Sequence, residues 1–198
     1  MEAANFSPLH RSSPLTRTIL LAVLCVAFAC ASRADDPLSE AILDSPPAGF
    51  KLVKGPASGE MDRDAAVNAT IADPSEKSAL LGRIGYQQGR SRVWSKGNDY
   101  ITILVYDFSG ADGAKRLVDF EIRQLDRTPG FAPFTMRQIP GSRAYVLSAS
   151  SRKGGALFCQ GAWFTVDTRA FSVATCGALP NNTELATRMA VAQYKRAR

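Results

Sequence analysis

Histidine, cysteine and the carboxylates are the residue types through which this chain could carry out catalysis or bind a metal. Its only histidine, His10, lies in an N-terminal segment that we interpret below as a leader. Without it, the remaining chain cannot build Ser-His-Asp or Cys-His catalysis, or a histidine-rich metal site. Gly82 and Gly85 lack the Gly-Lys-Ser/Thr ending of a phosphate-binding loop. We therefore predict no catalytic, cofactor-binding or metal-binding residue.

Cys159 and Cys176 are the cysteines that remain when Cys25 and Cys30 are assigned to the leader. Two cysteines in an exported chain most often form a disulfide. Closing a loop of about 18 residues would stabilise the fold by about 3 kcal/mol. A redox-active or metal-binding pair is the alternative, but the spacing is far from Cys-x-x-Cys and no histidine is near. We predict a structural disulfide.

The carboxylates offer two weaker candidates. Asp62 and Asp64 could bind a cation, although acids at a helix start more often complement its dipole. Asp99 and Asp107 could form an acid pair, although an aspartate at a strand end more often accepts backbone hydrogen bonds. In both cases the structural interpretation is favoured.

Three aromatic residues are candidates for the wall of a ligand pocket: Trp94, Tyr106 and Trp163. All three lie in predicted strands. Aromatic side chains at alternating strand positions more often belong to the core. Core packing is the favoured interpretation, and a pocket wall is the alternative.

Residues 1–34 have the features of a signal peptide. Basic residues precede an apolar run, residues 19–29, which is shorter than the about 20 residues of a spanning helix. Small residues then allow cleavage after Ala31 or after Ala34. A short signal anchor is the alternative. Cys30 is a candidate lipid-attachment site because Ala29 precedes it, as in a lipobox, but the two residues before Ala29 depart from that motif.

The formal charge of +6 is carried by basic residues spread along the sequence and mixed with acids. A nucleic-acid binder more often shows a clustered basic stripe. We therefore predict no nucleic-acid partner, a mild attraction at most to an anionic envelope surface, and peripheral membrane association only if Cys30 is lipidated.

Turn and cap signals predict the elements. Residues 100–108 are apolar on both faces, which predicts a strand in the middle of a sheet. The sequence Asp73-Pro74-Ser75-Glu76 predicts the start of a helix that ends at Gly85. A second, one-faced helix is predicted from Ala114 to Leu125. Gln160-Gly161 predicts a hairpin turn between two short strands.

Together these elements predict one α+β domain at residues 49–198, preceded by a tether or short helix at 35–48. We expect an antiparallel sheet of five to six strands with helices packed on it. A similar order of elements in residues 89–126 and 141–196 suggests two similar ββα-type halves.

The residues from Asp73-Pro74-Ser75-Glu76 through Gly85 to Trp94, followed by the strand 101–108, resemble those of uncharacterised exported proteins and lipoproteins of actinobacteria. The order of helices and strands is also similar to PsbP-like envelope proteins and to secreted sensor domains of actinobacterial Ser/Thr kinases. This resemblance implies a non-catalytic binding or accessory role outside the membrane. It assigns no functional residue.

We therefore predict a secreted or cell-envelope protein that is not an enzyme and that binds a small or lipidic ligand or a protein partner. One alternative is a carboxylate-dependent hydrolase of envelope glycans, which an acid pair about 5–10 Å apart across a cleft would favour. Another is a structural envelope component. An apolar cavity would favour the binding protein.

Overall fold

The structure is a computed structural model that describes residues 37–150, 156–177 and 183–198. Residues 37–198 form one compact unit. The predicted signal peptide, its cleavage sites and Cys30 lie outside the described residues.

The described residues form five helices and eight strands. The helices are α1 (Pro37–Ala41), α2 (Arg63–Asn68), α3 (Pro74–Arg83), α4 (Ala111–Asp126) and α5 (Thr183–Ala197). Each of these five is too short or too polar to cross a membrane. The strands are β1 (Lys51–Leu52), β2 (Gly59–Met61), β3 (Tyr86–Lys96), β4 (Asp99–Phe108), β5 (Phe131–Phe134), β6 (Arg143–Ser150), β7 (Ala156–Val166) and β8 (Arg169–Gly177).

The eight strands form a single antiparallel sheet in the order β1-β3-β4-β8-β7-β6-β5, with β2 also paired to β3. The predicted α+β class is confirmed. The sheet has more strands than the five to six expected. The short edge strands β2 and β5 span three and four residues and contain Gly59 and Pro133, so neither produces the alternating pattern that reveals a strand.

Strand β4 lies between β3 and β8, so its predicted place inside the sheet is confirmed. Leu104, Tyr106 and Phe108 pack in the core beneath α3 and α4. Ile101 and Ile103 pack in a second core, which includes residues of α1 and α5. Helices therefore cover both faces of the sheet, and each face has its own core.

Helix α3 begins as its sequence predicts. The Asp73 side chain accepts hydrogen bonds from the backbone N–H groups of Ser75 and Glu76, both at 2.9 Å. The helix ends at Arg83, and Gly85 follows with a φ of 73°, a value that glycine adopts without strain. The face that α3 buries is the one that carries Lys77, Leu80 and Leu81.

The predicted hairpin at Gln160-Gly161 is wrong, because β7 runs unbroken through both residues. A Cβ at Gly161 would lie 2.6 Å from the backbone oxygen of Val173 and 2.9 Å from Oη of Tyr145. Glycine is needed here because neighbouring groups approach the backbone closely, and not because the chain turns. The second half of the chain therefore has three strands, β6, β7 and β8, followed by the helix α5. This helix packs on the face of the sheet opposite α4.

The segment before β1 packs against the domain. Leu38 and Ile42 are fully buried in the core that includes residues of α5. The side chain of Gln193 donates to the carbonyl of Ala41 at 2.6 Å and accepts from the N–H of Leu43 at 2.9 Å. Two hydrogen bonds and two buried side chains thus hold residues 38–43 against α5.

Candidate functional site

A cavity of about 180 Å³ lies between the sheet and α4. Its wall is mostly apolar and includes three buried residues, Glu121, Tyr145 and Trp163, which we call its inner end. Ile71, by contrast, is 58% exposed to solvent. The remaining lining residues are Ala69, Thr70, Thr102, Leu104, Leu125, Leu147, Cys159, Ser172, Ala174 and Cys176.

A buried ion pair stands at the inner end of the cavity. Nζ of Lys77 lies 2.7 Å from Oε1 of Glu121, and the two side chains are 0% and 2% exposed. The ammonium also donates to Oγ1 of Thr70 at 2.9 Å and to Oη of Tyr106 at 3.3 Å. Thr70 in turn donates to Oε1 of Glu121 at 3.1 Å. Such additional hydrogen bonds offset part of the cost of taking two charges out of water.

Sequence reasoning missed this pair, although a signal for it was present. Lys77 lies one helical turn before Leu80 and Leu81, on the stripe of α3 that faces the core. Glu121 occupies the same kind of position in α4, four residues before the buried Leu125. A charged residue on the apolar stripe of each of two helices indicates a buried pair. Periodicity alone cannot show that the two stripes meet.

The electrostatics of the inner end follow from burial. Burial lowers the pKa of Lys77, and the charge of Glu121 opposes this effect. Burial raises the pKa of the Tyr106 and Tyr145 hydroxyls, and the nearby negative charge of Glu121 raises both further. Both tyrosine hydroxyls therefore keep their protons at neutral pH, and the Tyr145 hydroxyl can donate one hydrogen bond.

Two polar groups at this end remain available to a ligand. Both contacts of Glu121 involve Oε1, so Oε2 has no hydrogen-bond partner within the described part of the chain. The hydroxyl of Tyr145 likewise has no partner there, and both residues line the cavity. The cavity thus offers one carboxylate acceptor and one phenol donor in apolar surroundings.

The structure separates the three candidate pocket aromatics. Trp163 lines the cavity, and Tyr106 stacks on it with ring centroids 6.0 Å apart. Tyr106 is not a lining residue of the cavity; its hydroxyl accepts a hydrogen bond from Nζ of Lys77. Trp94 is fully buried in the core on the opposite face of the sheet and does not line this cavity.

The predicted disulfide is present, and it forms part of the cavity wall. Cys159 and Cys176 are directly opposite each other in β7 and β8, with their Cα atoms 4.1 Å apart.

The structure gives Asp62 and Asp107 structural contacts and separates Asp107 from Asp99. Asp62 caps α2, where its side chain accepts from the N–H of Ala65 at 2.8 Å. Asp107 lies 3.5 Å from Nε of Arg169. Asp99 lies at the other end of β4 from Asp107.

We expect the free energy of unfolding to fall steeply above about pH 10. An unfolded tyrosine loses its proton near that pH, whereas Tyr106 and Tyr145 keep theirs in the folded state, so each would cost about 1.4 kcal/mol of stability per pH unit. Lys77 has the opposite effect. Its pKa is lowered in the folded state, so the free energy of unfolding rises with pH between that pKa and about pH 10.4, where unfolded lysine loses its proton. Urea unfolding of wild type and Tyr145→Phe from pH 8 to 11 measures this. A shallower decline is expected for the variant, and equal slopes would contradict the assignment.

No protein-family model and no curated protein matches this chain. Solved structures do match. The extracellular domain of PknH from Mycobacterium tuberculosis has a TM-score of 0.52 and 14% identity, over 80% of this chain and 94% of that domain. An uncharacterized protein from Mycobacterium smegmatis has a TM-score of 0.45 and 13% identity, over 77% and 90% of the two chains. LpqN, involved in cell envelope biogenesis of M. tuberculosis, has a TM-score of 0.37 and 14% identity, over 74% and 76%.

The match to the PknH extracellular domain defines the class of fold. At 14% identity it shows shared architecture and transfers no residue role. The predicted likeness to exported actinobacterial proteins is thereby confirmed at the level of the fold.

Proposed function

We propose that this protein is an exported, non-enzymatic domain that binds a small, neutral, amphipathic ligand in the cavity beside Glu121. The observation that carries the proposal is an apolar cavity whose inner end presents Oε2 of Glu121 and the hydroxyl of Tyr145, neither of which has a hydrogen-bond partner among the described residues. Apolar walls with a few convergent polar groups are typical of small-molecule sites.

The size of the cavity limits what can be enclosed. Its volume of about 180 Å³ is slightly larger than the about 150 Å³ cavity that encloses benzene in another protein. A ring with one small substituent, or the end of a longer lipidic molecule, would fit. The rest of a longer ligand would pass over Ile71 toward solvent.

The charge of the inner end limits the chemistry of the ligand. Lys77 already neutralises Glu121, so a cationic ligand would leave an excess positive charge in a buried site. An anion would lie beside the Glu121 carboxylate and be repelled. A neutral hydroxyl or amide group that donates to Oε2 avoids both costs.

The same geometry gives less support to the alternative of a glycan hydrolase. Such enzymes usually use two carboxylates flanking the bond that is cleaved. Among the described lining residues Glu121 is the one carboxylate, and its partner is Lys77 rather than a second acid. A purely structural component would have no use for a cavity with unpaired polar groups.

Three observations support the proposal that the domain works outside the cytoplasm. The sequence predicts a signal peptide. The Cys159–Cys176 disulfide is typical of oxidising compartments. The fold is also that of an extracellular domain. Whether Cys30 carries a lipid remains a prediction from the sequence.

Binding of three matched probes tests the ligand class: phenol, its methyl ether and benzoate. We expect phenol to bind most tightly, because it is neutral and donates a hydrogen bond. The ether should bind more weakly and benzoate hardly at all. Fluorescence of Trp163, which lines the cavity, and NMR titration measure the affinities. Equal binding of the three probes would contradict the role of Glu121.

A pair of variants shows whether the probes occupy the cavity. Ala174→Leu fills it from β8 and should remove phenol binding. Ala192→Leu makes the same change on α5, on the other face of the sheet, and should leave binding intact. Retention of phenol by Ala174→Leu would overturn the proposed site. Native mass spectrometry of the protein from its own host would then identify the natural ligand by the mass that denaturation releases.

A further inference from the structure

Basic residues that are far apart in the sequence come together at the end of α5. Arg92 of β3 lies close enough to Arg196 for the two charges to interact, and Arg169 of β8 shares a groove with Arg196. Lys195 and Arg198 flank Arg196 at the end of α5. We call these five residues the basic surface. Arg169 and Arg196 line one open groove there together with Pro37 and Glu40. The even spread of charge along the sequence therefore becomes an uneven spread on the folded protein.

Within the described residues, Arg92 and Arg196 form no ion pair with a carboxylate. A guanidinium nitrogen of Arg92 donates to the carbonyl of Leu43 at 2.6 Å. Nε of Arg196 donates to the carbonyl of Glu40, also at 2.6 Å. A carbonyl satisfies a donor but cancels no charge. Arg169 is the exception, since it lies 3.5 Å from Asp107.

The electrostatics of Arg92 reflect this accumulation of positive charge. Burial lowers its pKa, and the charges of Arg90 and Arg196 lower it further, whereas Asp44 acts in the opposite direction. Lys195, Arg196 and Arg198 are exposed to solvent. They offset the negative end of the α5 dipole, which is worth about half a charge, so most of their positive charge remains.

The first described residue, Pro37, lies beside the basic surface. It borders the groove beside Arg169 and Arg196. The predicted leader is attached to the domain at this residue through the peptide chain. The basic surface therefore borders the residue at which the described domain begins.

We propose that the basic surface docks the domain on a membrane that contains anionic phospholipids, independently of any lipid on Cys30. This proposal replaces the expectation from the sequence that membrane association requires that lipid. Each lysine or arginine near such a membrane adds to the attraction, and salt screens it. The docked orientation would leave the ligand cavity, on the opposite face of the sheet, away from the membrane.

Vesicle sedimentation with two matched triple variants tests this proposal. One variant removes three charges from the basic surface: Lys195→Gln, Arg196→Gln and Arg198→Gln. The control removes three exposed charges from α3 and α4, on the opposite face: Arg83→Gln, Arg116→Gln and Arg123→Gln. All proteins are expressed as the full chain, and mass spectrometry establishes that their N-termini are the same. Vesicles contain about 30 mol% phosphatidylglycerol or only phosphatidylcholine.

Wild type and the control variant should bind the anionic vesicles alike, and the basic-surface variant should bind at least about tenfold more weakly. Equal losses in both triple variants would show a general effect of net charge and overturn the proposal, as would no loss in either. Arg196 also donates a hydrogen bond to the carbonyl of Glu40 in α1. The double variant Lys195→Gln/Arg198→Gln keeps that bond and must still bind the anionic vesicles more weakly than wild type.

Discussion

Replacing Lys77 with methionine is expected to lower the free energy of unfolding by about 3–5 kcal/mol. Methionine fills similar space, so the loss comes mainly from charge. Glu121 would be left buried, 2% exposed, with no opposite charge beside it. Chemical denaturation with urea measures the effect. Lys115→Met, an exposed change on α4, is the matched control and should stay within about 0.5 kcal/mol of wild type.

The double variant Lys77→Met/Glu121→Leu separates stability from function. Replacing both members of a buried ion pair by apolar residues is often neutral or stabilising. We therefore expect the double variant to regain most of the stability that the single variant loses. It should nevertheless lose the preference for phenol over its methyl ether, because no carboxylate acceptor remains. A double variant as unstable as the two single variants combined would show that the pair does not act as a unit.

Removing the disulfide by Cys159→Ala/Cys176→Ala is expected to cost about 3 kcal/mol and to weaken phenol binding. The first effect follows from the lost cross-link. The second follows because both cysteines form part of the cavity wall. Chemical reduction of the wild-type protein should reproduce the loss of stability. Two free thiols in the exported protein under non-reducing mass analysis would contradict the bond.

Local signals in the sequence predicted helices α3 and α4 and the central strand β4. Asp73 and Gly85 bound α3, and residues 100–108 have two apolar faces because β4 is covered on both sides. The disulfide was predictable because its two cysteines are the cysteines left after the leader. These features depend on neighbouring residues or on simple counting.

The candidate site depended on contacts between distant residues and could not be predicted in this way. Lys77 and Glu121 meet only because α3 and α4 pack side by side on the same face of the sheet. Gly161 looked like a turn residue, since the approach of Tyr145 and Val173 is invisible in the sequence. The basic surface assembles from β3, β8 and α5 in the same way.

The two margins of the sheet affect how the protein behaves at high concentration. On one side, β1 and β2 divide the outer edge of β3, and the hydroxyl of Ser58 fills the gap by bonding to the N–H of Val93 at 2.9 Å. On the other side, the N–H of Ser148 donates to the carbonyl of Gly130. Backbone groups alternate in direction along an antiparallel strand, so the nitrogen of Pro133 in β5 points away from β6. That nitrogen carries no hydrogen to donate. Among the described residues, neither margin offers a long row of unpaired backbone groups to a strand of another molecule, which protects the folded domain against aggregation through its sheet.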